Sequence, residues 1–126
     1  MLGSVPMNRR GSMLSSGDVV GLDPGVPVGS EAGFAHPAVV VTAQRILDGL
    51  PSVIQVVPLT STMRSFRSEV PIEADATNGL VVRSAAQCQH VRAVSTGRVS
   101  SVRANVGPIV LQQVREALAL IFDLPA

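Results

Sequence analysis

The clearest hydrophobic period in the chain lies at its C-terminal end. Val110, Leu111, Val114, Ala117, Leu118, Ile121 and Phe122 recur at helical spacing and form one apolar stripe, with Gln112, Gln113, Arg115 and Glu116 on the other side. Pro108 stands where such a helix would begin, since its missing N–H is one that the first turn leaves unpaired anyway, and Pro125 stands where it would stop. Upstream, the pattern changes to short apolar or alternating runs of strand type. These cover residues 18–22, 37–42 (PAVVVT, with Pro at its tolerated first position), 52–59, 69–73, 80–85, 89–94 and 101–105. Residues 43–50 read as a helical turn and 60–67 as a polar loop, while 75–79 read as a turn in which Asn78-Gly79 is a hairpin signal. Residues 23–36 hold two Pro and three Gly among few apolar side chains and read as a long loop, a kind usually kept for function. Residues 1–16 are rich in Gly, Ser and Met without a sustained period. They read as a flexible arm ahead of a single domain over 17–126. The elements together predict a mainly β (α+β) domain, a small, partly open barrel of short strands closed by a C-terminal helix.

Composition narrows this picture. With 46% hydrophobic residues and a mean hydropathy of +0.38, the 126-residue chain is a folded domain and not a disordered tail. Three Phe are the only aromatics, so the core must be built from aliphatic side chains, and the many Val favour strands. A formal net charge of +1 excludes a strong overall field for nucleic acid. All ten basic residues are Arg, which is either a fork of donors suited to phosphate or the bland signature of a GC-rich coding sequence. The single Cys88 rules out an internal disulfide and fits a reducing compartment. Two His and one Cys, scattered, form no metal-ligand pattern. No apolar run approaches the roughly 20 residues that span a bilayer, and Arg9-Arg10 are not followed by the apolar stretch of a signal peptide. The expectation is a cytoplasmic protein with neither cofactor nor membrane contact.

Three stretches carry a resemblance. Gly17-Asp18-Val19 leads into Gly29-Ser30-Glu31 and then into His36-Pro37 followed by an apolar strand. Val57-Pro58-Leu59-Thr60-Ser61 comes second, and Gln87 to Val94 (QCQHVRAV), followed by the terminal helix, comes third. In their order and spacing these motifs resemble the MazF/PemK family of toxins from about Gly17 to the end of the chain. The resemblance implies an SH3-like barrel, a homodimer, and a type II toxin silenced by a cognate antitoxin whose disordered tail folds over the active groove. It also implies sequence-selective, metal-independent cleavage of single-stranded RNA by attack of a ribose 2′-hydroxyl on its own phosphate. That chemistry needs a base, an acid and donors for the crowded phosphate charge.

Residue by residue, the resemblance gives Thr60 the place of the family's active-site Thr, where a hydroxyl can meet a phosphate oxygen; a Thr satisfying its own loop is the structural alternative. Ser61 beside it is a further phosphate-binding candidate. His36 stands where the family usually has Arg. It keeps the ability to exchange protons near neutral pH and gives up the permanent charge and the bidentate fork. Either His36 acts in catalysis or it is a half-exposed loop residue in a weakened site. Glu31 matches the family's loop Glu and is a candidate to orient His36 or RNA, with a solvated carboxylate as the alternative. Gln87 and Gln89 stand where PemK relatives have a catalytic Arg and Asp; neither is an acid or base, but both can hydrogen-bond RNA. Alternation along a strand would put His90 on the face away from Gln89. Arg64 and Arg67 are candidates to draw RNA, Arg92 matches a basic family position that is as readily an ordinary surface residue, and Phe34 is the leading base-stacking ring, ahead of Phe66. The competing expectations are a binding protein on the same fold, like gyrase poisons but without their terminal Trp-Gly-Ile, and a decayed toxin that binds without cutting. Cleavage against mere binding separates them, and a short reading frame just upstream of the gene would speak for an antitoxin.

Overall fold

The computed structural model of the protein describes residues 14–23 and 36–125. Seven strands, β1 (Asp18–Leu22), β2 (His36–Val40), β3 (Val53–Thr60), β4 (Glu69–Ile72), β5 (Ser84–Gln87), β6 (Arg92–Ser95) and β7 (Val99–Asn105), are joined by a short helix α1 (Gln44–Leu47) and closed by α2 (Gly107–Phe122). All pairings are antiparallel, in the order β4-β5-β3-β2-β1-β7, with β6 also on β3. The end strands β4 and β7 do not pair with each other, so the sheet does not close and is a partly open barrel.

Alternation along each strand divides the side chains between two cores. Val19, Val39, Val57, Leu59, Val70, Ile72, Ala86 and Cys88 lie under α2, which contributes Leu111, Val114 and Ala117. Val20, Leu22, Ala38, Val40, Ile54, Val56, Val94 and Val99 fill the other side with Leu47 of α1 and Leu14. Contacts with the domain thus begin upstream of Gly17. Besides the burial of Leu14, the Ser15 amide donates to Asp18 Oδ2 (2.8 Å) and the Ser16 hydroxyl to the Thr42 carbonyl. Gly17 adopts φ +92°, and a Cβ there would stand 2.9 Å from Asn105 Oδ1. The Asn105 amide in turn ties Ser16 O and Asp18 Oδ1 to β7, each at 3.0 Å.

Three expectations change on folding. Residues 80–83 are not a strand, and Val81 is 90% exposed. The buried Asn78 amide holds the turn instead, accepting from the Asp75 and Leu80 amides (3.1 and 3.0 Å) and donating to the Glu73 carbonyl (2.7 Å), so that the partner of β4 starts only at Ser84. Residues 89–94 are not one strand either. From the Ala86–Leu59 pair to the Arg92–Val56 pair the outer chain advances six residues while β3 advances three, and a 3₁₀ turn at Cys88–His90 absorbs the surplus. That turn cancels the alternation expected for His90, which is simply exposed on it. Finally, α2 ends at Phe122 because Asp123 takes the left-handed conformation (φ 56°) and the Leu124 amide bonds back to the Ala119 carbonyl (2.8 Å), so Pro125 falls after the stop. Ile121 and Phe122, expected in the buried stripe, are exposed in the last turn.

Asn78→Ala should leave buried backbone groups unpaired, at a cost of roughly 1–3 kcal/mol for each. Urea unfolding should show a lower midpoint with an unchanged slope.

Candidate functional site

On the face of the sheet turned away from α2, the register lines up a row of functional side chains. Glu69 of β4 pairs with Gln87 of β5, Ala85 stands between Pro71 and Thr60, Pro58 pairs with Ala38, and His36 pairs with Leu22. Directly paired residues share a face, as do residues two apart on a strand, so Glu69, Gln87, Thr60, Pro58 and His36 all belong to this row. Two hollows lie along it. The larger, about 330 Å³, is lined by His36, Pro58, Gln87, Arg92 and Arg98 among others. The smaller, about 100 Å³, is lined by Met63, Arg64, Glu69, Arg83 and neighbours. Gln87 and Glu69 are where they adjoin.

His36 opens β2 at the exposed end of the larger hollow, with Arg92 from β6 facing the same space. Arg98 comes from the turn before β7 and is anchored by two bonds to the Asp23 carbonyl (2.9 and 2.7 Å), while the Asp23 amide donates back to the Arg98 carbonyl (2.7 Å). This clamp sets Arg98 beside the point where β1 leaves the sheet. Half-buried Thr60 ends β3, and its hydroxyl oxygen accepts from the Thr62 amide (3.1 Å), stabilising the turn into the loop. Ser61 is exposed and lines neither hollow.

One residue that the sequence did not single out is Glu69. Its side chain is only 2% exposed, yet it is a carboxylate. Arg64 donates to Oε2 from the loop, and Gln89 and Gln87 donate to the same oxygen at 2.7 and 3.5 Å. Burial pushes the Glu69 carboxyl up, but the hydrogen bonds from Arg64 and Gln89, the Arg64 charge and the Gln87 bond together outweigh it and hold the pKa below the ordinary carboxylate value. The two glutamines found by sequence therefore meet around a carboxylate supplied by another strand. Arg64, expected to attract RNA, is engaged with Glu69 and lies over the Phe66 ring, 4.8 Å from its centroid. Arg67 is exposed on the same loop. Glu31 and Phe34 lie outside the described residues. Arg98 was also missed; no local signal marks it, because its approach to β1 is a contact between residues 75 positions apart. Among the described residues there is no group of three or more His, Cys, Asp or Glu that could hold a metal, and no helix long and apolar enough to cross a membrane.

Cys88, one residue from each glutamine, turns the other way. It is fully buried beneath α2, with Sγ 3.9 Å from the Val114 carbonyl, and burial together with the nearby Glu69 charge pushes its thiol up to about 11.

This combination of a partly open antiparallel barrel, a closing C-terminal helix and a polar row on the opposite face is that of the MazF-like toxins. Residues 15–122 match the family described as PemK-like, MazF-like toxin of type II toxin–antitoxin system, and the chain belongs to that family. It is 37% identical over 125 residues to Endoribonuclease MazF9 of Mycobacterium tuberculosis, an alignment covering 94% of this chain and 98% of the relative. Among solved structures, MazF from Deinococcus radiodurans superposes with a TM-score of 0.68 at 25% identity over 88% of this chain and 97% of the other. The Mycobacterium tuberculosis toxin MazF-mt6 superposes with a TM-score of 0.69 at 20% identity over 86% and 99%, a likeness of fold.

Two measurements test this description. Cys88 should resist alkylation at neutral pH in the folded protein and react on unfolding, which mass spectrometry of iodoacetamide-treated samples can follow. Since the Glu69 pKa is lower folded than unfolded, the unfolded chain takes up the proton first as the pH falls. Its stabilisation is whole above the ordinary carboxylate value of about 4.3 and is lost as the pH drops through the lowered folded value. The urea midpoint of the wild type should therefore fall relative to Glu69→Gln only below about pH 5.

Proposed function

We propose that the chain is a metal-independent, sequence-selective endoribonuclease of the cytoplasm, cutting single-stranded RNA along the His36–Gln87–Glu69 row. The observation that carries this reading is the larger hollow, where a proton-exchanging side chain, two guanidinium-bearing residues and an amide converge on one face of a chain whose net charge is only +1. The 37% identical relative bears the name endoribonuclease, which supports the same activity here.

In this mechanism His36 takes the proton of the ribose 2′-hydroxyl. The 2′-oxygen attacks the adjacent phosphorus, the bond to the 5′-oxygen breaks, and the departing oxygen takes a proton from water, so that a 2′,3′-cyclic phosphate and a 5′-hydroxyl result. Arg92 and Arg98 neutralise the charge that crowds onto the phosphate. Thr60, at the end of β3, contributes its hydroxyl to a phosphate oxygen while still accepting from the Thr62 amide, since a hydroxyl both donates and accepts. Ser61, Arg67, Glu31 and Phe34 are assigned to RNA contacts. The cognate antitoxin of the family covers the same row with a segment that folds on binding. A homodimer is proposed on the exposed apolar side chains of α2, among them Ile109, Leu120, Ile121 and Phe122.

The test is incubation of antitoxin-free protein with a mixed RNA pool in EDTA, with Thr60→Ala and His36→Ala alongside and the cut ends sequenced. Breaks at one short motif leaving 5′-hydroxyl ends are expected. Each variant should lower the rate at least tenfold, on the scale of general acid–base catalysis at about 10²–10⁴-fold. A folded protein that binds RNA and leaves it whole would move the assignment to a non-cutting binding protein.

A further inference from the structure

We propose that Glu69 and Gln89 form a base-reading subsite that accepts the exocyclic amino group of cytosine or adenine and rejects uracil; the proposal rests on the RNA-cutting reading above. Two buried side-chain oxygens, Glu69 Oε1 and Gln89 Oε1, have no hydrogen-bond partner among the described residues. A buried acceptor without a donor is costly, and here two belong to one bonded pair, since Gln89 Nε2 donates to Glu69 Oε2 at 2.7 Å. That bond also settles which end of the Gln89 amide is which, because a carboxylate oxygen can only accept. Both orphan atoms are therefore acceptors, one of them on an ionised group.

The complementary group carries two hydrogens in one place. An amino group on a base gives one to each oxygen, whereas uracil presents a carbonyl oxygen there and meets only repulsion. Single-stranded RNA leaves this base edge free to be read. The surroundings suit a base as well. Glu69 lines the smaller hollow beside the RNA row, and Gln87, its register partner, lines the larger one. The group best able to make way is Arg64, which is 38% exposed on the 61–67 loop and already lies over the Phe66 ring. In RNA-free protein its guanidinium occupies Oε2; on base entry it turns toward the phosphate.

The experiment uses short, non-cleavable 2′-O-methyl RNA strands in which each position in turn is cytosine or uracil, with affinities measured by fluorescence anisotropy. The wild type should prefer cytosine about tenfold at one position, on the scale of a single good base contact. In Glu69→Gln, the Gln89 amide still donates to the position of Oε2 and keeps the new carbonyl oxygen there after Arg64 has turned away. The new amide nitrogen then takes the place of Oε1 and should reverse the preference toward uracil. Circular dichroism checks the fold of the variant, and the wild-type preference is a test that needs no variant.

Equal affinity for cytosine and uracil at every position would overturn the subsite, and so would a preference unchanged in folded Glu69→Gln. If the wild type cuts RNA without such a preference, the subsite alone falls. If it neither binds nor cuts any strand, the nuclease reading falls with it. An unchanged RNA preference combined with weakened antitoxin capture would assign the two oxygens to the antitoxin and overturn the subsite for RNA.

Discussion

Burial of β3 on both faces is the constraint from which the rest of the structure follows. Val57 and Leu59 supply the core beneath α2, while Ile54 and Val56 supply the core on the other side. A strand so placed needs partners along both edges, since unpaired backbone groups in the interior are costly. One edge is taken by β2; the other is shared, with β5 covering its C-terminal end and β6 its N-terminal half. The change from β5 to β6 leaves surplus chain, and the 3₁₀ turn that takes it up sends Cys88 into the core and Gln89 toward Glu69. A packing requirement of the barrel thus builds one end of the functional row.

Charge along that row is divided and not summed. The larger hollow holds Arg92 and Arg98 beside His36, whereas at the smaller one Arg64 is paired with Glu69. A molecule of net charge +1 can in this way present a local positive field for phosphate and, a few residues away, an acceptor-rich site for a polar edge. Phosphate contacts set position and edge contacts set identity, so separating the two kinds of group along one face lets each be tuned without disturbing the other. Positions 87 and 89, where the resemblance leads one to expect a basic and an acidic residue, hold glutamines, and the carboxylate and guanidinium that stand beside them come from outside that motif, in Glu69 and Arg64.

Much of the fold was legible in the residues because its signals are local. The helical stripe located α2, valine-rich runs located β1, β2 and β3, and the polar stretch after Thr60 became the loop that carries Arg64 and Phe66. The failures are equally specific. Val81 and Val82 looked like strand residues but are exposed, because the Asn78 amide shapes the preceding turn and postpones pairing. Residues 89–94 looked continuous, yet their pairing is set by where β5 and β6 meet β3. The candidate site was legible at His36, Thr60, Gln87 and Gln89, all within or beside recognisable motifs.

By itself the sequence determined the periods, the aliphatic core and the family, since each of these is written in neighbouring residues or in the order of short motifs. Tertiary structure alone decided that Glu69 is the buried carboxylate at the centre of the glutamines, that Arg64 serves it, and that Arg98 joins His36 in one hollow. The physical reason is range. Periodicity and turn chemistry act over a few residues, whereas a carboxylate on β4 acquires its meaning from strand register and from donors that only folding brings within 3.5 Å.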